Sequence, residues 1–111
     1  MTSGRQAVIA GIGETGYSRE SGRSELQLAA EASLAAMRDA GLAADDIDGL
    51  VTYTMDSSDE LELQRCLGIP LLRWTGRAPF GGMGCCASVQ IAAAAVGVGY
   101  ADAVIVYRAL N

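Results

Sequence analysis

Short apolar runs alternate with stretches of helical period along this chain, and that alternation leaves few folds open. Ala7-Val8-Ile9-Ala10 is an apolar run ended by glycines, Ile47 to Met55 is a second, Leu71 to Thr75 a third and Ala103 to Tyr107 a fourth. Runs of this kind read as strands buried on both faces. Between them lie helices with their own start and stop signals. Ser24-Glu25-Leu26-Gln27 is a capping box, Leu26, Ala30, Leu34 and Met37 form a stripe, and Gly41 is the stop. Ser57-Ser58-Asp59-Glu60 is a second box, opening a short helix with Leu61 and Leu67 that ends at Gly68 before Pro70. The glycine-rich loop Gly76 to Gly84 leads into an alanine-rich helix closed by Gly97 and Gly99. The order βαβαβαβ predicts an α/β fold: a mostly parallel sheet, right-handed crossovers, helices on both faces. Nothing follows the fourth strand to cover it, so the chain reads as the front portion of a longer polypeptide. The alternative is a small flavodoxin-like domain complete as it stands.

Composition narrows the chemistry. The 111 residues carry 8 basic side chains, all arginine, against 13 acidic ones, a formal charge of -5. That balance argues against a nucleic-acid or anionic-membrane partner, which needs a basic face. Histidine is absent, which rules out a self-contained Ser-His-Asp or Cys-His triad and imidazole zinc sites. Carboxylate, thiol and backbone-amide chemistry remain, or chemistry completed by residues outside this chain. Three cysteines, two of them adjacent, make a poor disulfide framework and point to a reduced, cytoplasmic setting. Ile91 to Tyr107 carries Asp102 and is rich in Ala and Gly, so it reads as a buried helix and strand rather than a membrane span.

Three motifs invite a functional reading. Gly11-Ile12-Gly13-Glu14-Thr15-Gly16 is a literal G-x-G-x-x-G, but the dinucleotide mechanism needs a helix to open at those glycines. Here the helix cap arrives only at Ser24, so a turn leaving a strand is the better account. Asp45-Asp46-Ile47-Asp48-Gly49 lacks the bidentate Glu of a calcium loop and reads as a helix-to-strand turn anchored by Ile47. The third motif carries most: a glycine-rich loop delivers Cys85 and Cys86 to a helix N-terminus. The helix dipole and free amides there stabilise a thiolate or the oxygen of an acyl group. Packing of small buried residues accounts for the pair equally well. Neighbouring helix residues point about 100° apart, so the sequence does not choose between the two thiols. Cys66, beside Leu67, reads as packing. Arg73 and Arg77 read as surface arginines beside a strand end, and Tyr107-Arg108 sits where α/β proteins place ligands.

Ala7 to Thr15, Asp46-Ile47-Asp48-Gly49-Leu50-Val51, Cys86-Ala87-Ser88 and Gly99 to Val104 resemble the N-terminal half-domain of the thiolase superfamily. Val51 to Asp56, the Gly81-Gly82 loop and Val106 to Asn111 resemble more narrowly its lipid-transfer-protein branch, nearest to the steroid side-chain-cleaving aldolases of bacterial sterol breakdown. The resemblance runs along essentially the whole chain and makes residues 1–111 a partial thiolase-like N-terminal domain. It implies Cys86 as the acyl-accepting nucleophile, with Gly82, Gly84, Cys85 and Ser88 as its oxyanion and loop support. It also implies that Leu71, Leu72, Arg73, Trp74 and Thr75 form an edge strand pairing across a homodimer axis. No metal and no cofactor is implied; a CoA thioester enters as substrate.

Two departures stand beside the acyl site. Val89 replaces the glycine usual three residues after the nucleophile, and Tyr107-Arg108-Ala109 stands where thiolases carry Gly-Gly and Glu. Both disfavour Claisen chemistry and favour the aldolase branch. That branch implies retro-aldol cleavage of a steroid β-hydroxyacyl-CoA to a ketone and propionyl-CoA, with acid-base tyrosines outside these residues and an OB-fold (DUF35-type) partner domain. An acetyl-CoA acetyltransferase acylated on Cys86, and a non-enzymatic lipid or acyl-CoA carrier, are the alternatives.

Overall fold

The structure is a computed structural model that describes residues 5–53, 59–78 and 84–110. In chain order it holds α1 (Glu25–Ala40), a 3-10 turn (Ala44–Asp46), β1 (Gly49–Tyr53), α2 (Glu60–Leu67), β2 (Trp74–Ala78), α3 (Gly84–Val98) and β3 (Val104–Val106). The three strands form one parallel sheet in the order β2-β1-β3, with Gly49 opposite both Trp74 and Val104. The α/β class and the parallel sheet follow the sequence pattern.

Capping explains the helix ends. The Ser24 side chain accepts from the Gln27 amide at 3.1 Å, and Gly41 takes a left-handed φ of 72° to close α1. Asp59 caps α2, its carboxylate accepting from the Leu61 amide at 2.7 Å; Ser57 and Ser58 lie outside the described residues. Gly68, at φ 74°, closes that helix.

All five residues of β1 are buried. On one face Leu50 joins Ile105, Tyr107, Leu28, Met37, Leu63 and Leu67 in the core. Strand side chains alternate, so Val51 and Tyr53 turn to the other face, where α3 packs across all three strands with Ala92 and Ala95 buried. Ile47 is 3% exposed and anchors the turn into β1 as its sequence setting predicts.

Four expectations are corrected. Ala7 to Ala10 is not a strand: Val8 and Ile9 are 80% and 76% exposed and unpaired in the sheet. Both hydrogen-bonding edges of β1 are taken by β2 and β3, and the residues that follow, 11–13, lie along α1. There a side chain at Gly11 or Gly13 would run into the backbone of Ala32, Ala36 and Ala40, and the Ile12 amide donates to Asp39 at 2.9 Å. The stripe on α1 is also displaced. Leu34 is 40% exposed, while Leu28, Ala29, Ser33 and Met37 are buried. Alanines surround this helix, so its period leaves the inward face underdetermined.

The third strand begins at Trp74 rather than Leu71 and runs on through Gly76 to Ala78. Its extent is that of its partner: the Arg73 and Trp74 amides both reach the Asp48 carbonyl, at 2.8 and 3.2 Å, and Ala78 stands opposite Tyr53. Leu71 is exposed and Leu72 packs against the core before the strand starts. Finally, Cys66 is exposed rather than packed.

Candidate active site

Parallel strands deliver their carboxyl ends to one edge of a sheet, and ligands of α/β proteins gather there. Tyr53 ends β1, Tyr107 and Arg108 follow β3, and α3 opens at Gly84 shortly after β2. The first turn of α3 therefore turns its free amides toward the same edge, and it carries no acidic side chain there. A cavity of about 150 Å³ lies at this edge, lined by Tyr53, Cys85, Ser88, Val106, Tyr107 and Arg108.

Four side chains build its polar wall. Arg108 Nη1 donates to Cys85 Sγ at 3.1 Å, and the Arg108 guanidinium lies 4.6 Å from the centroid of the Tyr53 ring. Ser88 is 5% exposed, and its hydroxyl donates to the Cys85 carbonyl at 2.6 Å, tying the first turn of α3 together. Below the cavity, Thr52 is fully buried and donates to the Tyr107 carbonyl at 3.2 Å, while the Tyr107 amide donates to the Val51 carbonyl at 3.0 Å. These two bonds set where Arg108 leaves the sheet.

The sequence candidates separate accordingly. Cys85 and Ser88 line the cavity. Cys86 is exposed at the first turn of α3 and is not among the lining residues. Gly84 is the first residue of α3, and Gly82 lies outside the described residues. Tyr53 escaped the sequence reading as a site residue. Its signal was position: the last residue of a wholly buried central strand, at the carboxyl edge where ligands collect.

The other motifs have structural partners. Asp48 accepts from the amides of Asp102 and Ala103 at 2.9 and 3.0 Å and pairs with Arg73 at 3.2 Å; Asp46 accepts from the Ala43 amide at 2.9 Å. Arg77 pairs with Glu60 at 2.6 Å. The Arg5 guanidinium donates to Asp102 at 2.6 Å and, with Arg73 beyond it, holds that carboxyl below the usual carboxylate range.

No protein-family model matches the chain. Over all 111 residues it is 53% identical to the 17-hydroxy-3-oxo-4-pregnene-20-carboxyl-CoA lyase of Mycobacterium tuberculosis. Over 105 residues it is 54% identical to the steroid side-chain-cleaving aldolase of Thermomonospora curvata. The chain is a homologue of the steroid side-chain-cleaving aldolases. It spans 28% and 27% of the length of these two relatives. The solved Ltp2-ChsH2(DUF35) aldolase matches 96% of the chain at a TM-score of 0.92 and 54% identity, with 28% of that structure covered. A 3-oxoacyl-[acyl-carrier-protein] synthase III from Aquifex aeolicus and the priming β-ketosynthase of the R1128 polyketide pathway match at TM-scores of 0.62 and 0.59, with 18% and 24% identity. Those two speak to the fold, which is thiolase-like, as the sequence motifs implied. Among the described residues no helix is long and apolar enough to cross a membrane.

Proposed function

We propose that the full-length protein is a carbon-carbon lyase that cleaves the side chain of a steroid β-hydroxyacyl-CoA. The observation that carries this reading is identity above one half along the entire chain to relatives named for that reaction. The cavity at the carboxyl edge of the sheet agrees with it, being small and flanked by a helix N-terminus and a guanidinium. In the reaction a general base takes the β-hydroxyl proton and the Cα–Cβ bond breaks toward the thioester. Its electron pair becomes a thioester enolate, and a ketone leaves. Protonation of the enolate at Cα then yields propionyl-CoA. The acid-base side chains are assigned outside these 111 residues, and a DUF35-type partner is part of the proposal, by analogy with the aldolase complex. The outer edge of β2 is proposed as a homodimer contact, centred on Trp74 and Thr75.

The test is to supply the longest natural reading frame, with a DUF35-type partner, with a steroid β-hydroxyacyl-CoA and to follow propionyl-CoA. Release of propionyl-CoA and ketone in equal amounts supports the reading. Cys86, exposed at the first turn of α3, sustains a second reading, an acyltransferase acylated on that thiol. Intact mass after incubation with a short acyl-CoA separates the two. An adduct lost in Cys86→Ala supports acyl transfer, since covalent catalysis does not survive loss of its nucleophile. Cleavage that persists in Cys86→Ala supports the lyase. Tight ligand binding without turnover by either route would identify a carrier instead.

A further inference from the structure

Among the described residues Arg108 is a cation without an anion. Ion pairs among the described residues engage Arg5, Arg23, Arg73 and Arg77, and none engages Arg108. A guanidinium has five N–H donors. Here one is given to Cys85 Sγ, a weak acceptor, and the flat face is held by the Tyr53 ring. Those two contacts fix where the cation sits without neutralising it, and they hold it on the wall of the cavity. A cavity of about 150 Å³ has been shown elsewhere to hold a group of about six heavy atoms such as benzene. That suits the five heavy atoms of a propionyl thioester head.

We propose that Arg108 carries the oxygen of the acyl thioester in this cavity while it bears the enolate charge, and that Cys85 is a positioning residue that holds Arg108 there. The inference rests on the lyase reading above and adds to it a named charge-stabilising group, at a position where the thiolase pattern has no arginine. No bond to sulfur forms. The oxygen gains charge when the Cα–Cβ electron pair arrives and loses it when Cα is protonated, and the guanidinium keeps its protons throughout.

The full-length protein with its partner, given propionyl-CoA in D2O, tests this without the steroid. A general base of the protein removes the α-proton, the enolate forms, and deuterium returns to Cα. Arg108→Gln is expected to lose about 100-fold or more in exchange rate and in cleavage kcat, with little change in affinity for propionyl-CoA. Arg108→Lys, which keeps the charge and loses the planar fork, is expected to recover part of both, and Cys85→Ala to show a smaller loss of the same kind. Should the Gln variant fail to melt cooperatively, the Lys and Cys85→Ala variants carry the comparison. Wild-type exchange in Arg108→Gln, in a protein whose parent cleaves the steroid, overturns the role of Arg108 and leaves the lyase reading standing. A loss seen only as weaker propionyl-CoA binding overturns it too. A parent that binds propionyl-CoA yet neither exchanges nor cleaves overturns the lyase reading itself.

Discussion

Ser33 shows how far a single residue can depart from the pattern around it. It is 2% exposed on the inward face of α1, and its hydroxyl finds no partner among the described residues. An unpaired buried hydroxyl costs about 1–3 kcal/mol, and alanine is the better helix former. Ser33→Ala is therefore expected to raise stability by about 1 kcal/mol, read from urea unfolding. Asp102 makes a pH prediction. Its carboxyl is held below the ordinary range, first by the Arg5 hydrogen bond and charge and then by Arg73. A lowered folded value means the contribution is whole above the unfolded value, about 4, and is lost as pH falls through the folded one. Unfolding midpoints of the parent and Asp102→Asn are expected to differ at pH 7 and to converge as pH falls through the lowered folded value. The group is well exposed, so added salt should shrink the gap at pH 7.

At the scale of elements, caps and stops were legible because each is a local event. Ser24, Gly41 and Gly68 end helices through bonds or backbone angles set within a few residues. Strand limits were not local. β2 starts where β1 starts and ends where β1 ends, through amides that reach the Asp48 carbonyl from 25 residues away in the chain. Thr52 makes the join between β1 and the segment after β3 from inside the core. Thr52→Val keeps the shape and removes that hydrogen bond, with an expected cost of about 0.5–1.5 kcal/mol in a urea titration. The glycines of the G-x-G-x-x-G run serve an element contact as well. Gly13→Val is expected to lift residues 11–13 off α1, seen as faster hydrogen exchange at the Ile12 amide, which otherwise donates to Asp39.

At the scale of the whole molecule, the site is an assembly of distant positions. Tyr53, Cys85 and Arg108 meet because three parallel strands and one crossover helix deliver their ends to a single edge. Proton transfer is proposed to come from groups beyond these residues, so the 111-residue chain alone is expected to release no propionyl-CoA from a steroid β-hydroxyacyl-CoA. Measurable release would overturn that assignment. The amino-acid sequence by itself determined the class of fold, the Ser24 cap, the Gly41 and Gly68 stops and the kinship, because periodicity, capping and motif spacing are properties of short stretches. Its spacing named two thiols, and only the family resemblance singled out Cys86, since adjacent helix positions differ by a rotation that packing resolves. The tertiary structure placed Cys85 beside Tyr53 and Arg108 on the lining of the cavity, and turned Val8 and Ile9 outward. The reason is physical. Which face of a helix is covered, and which strand takes each edge of β1, depends on partners far along the chain, competing for the same buried surface.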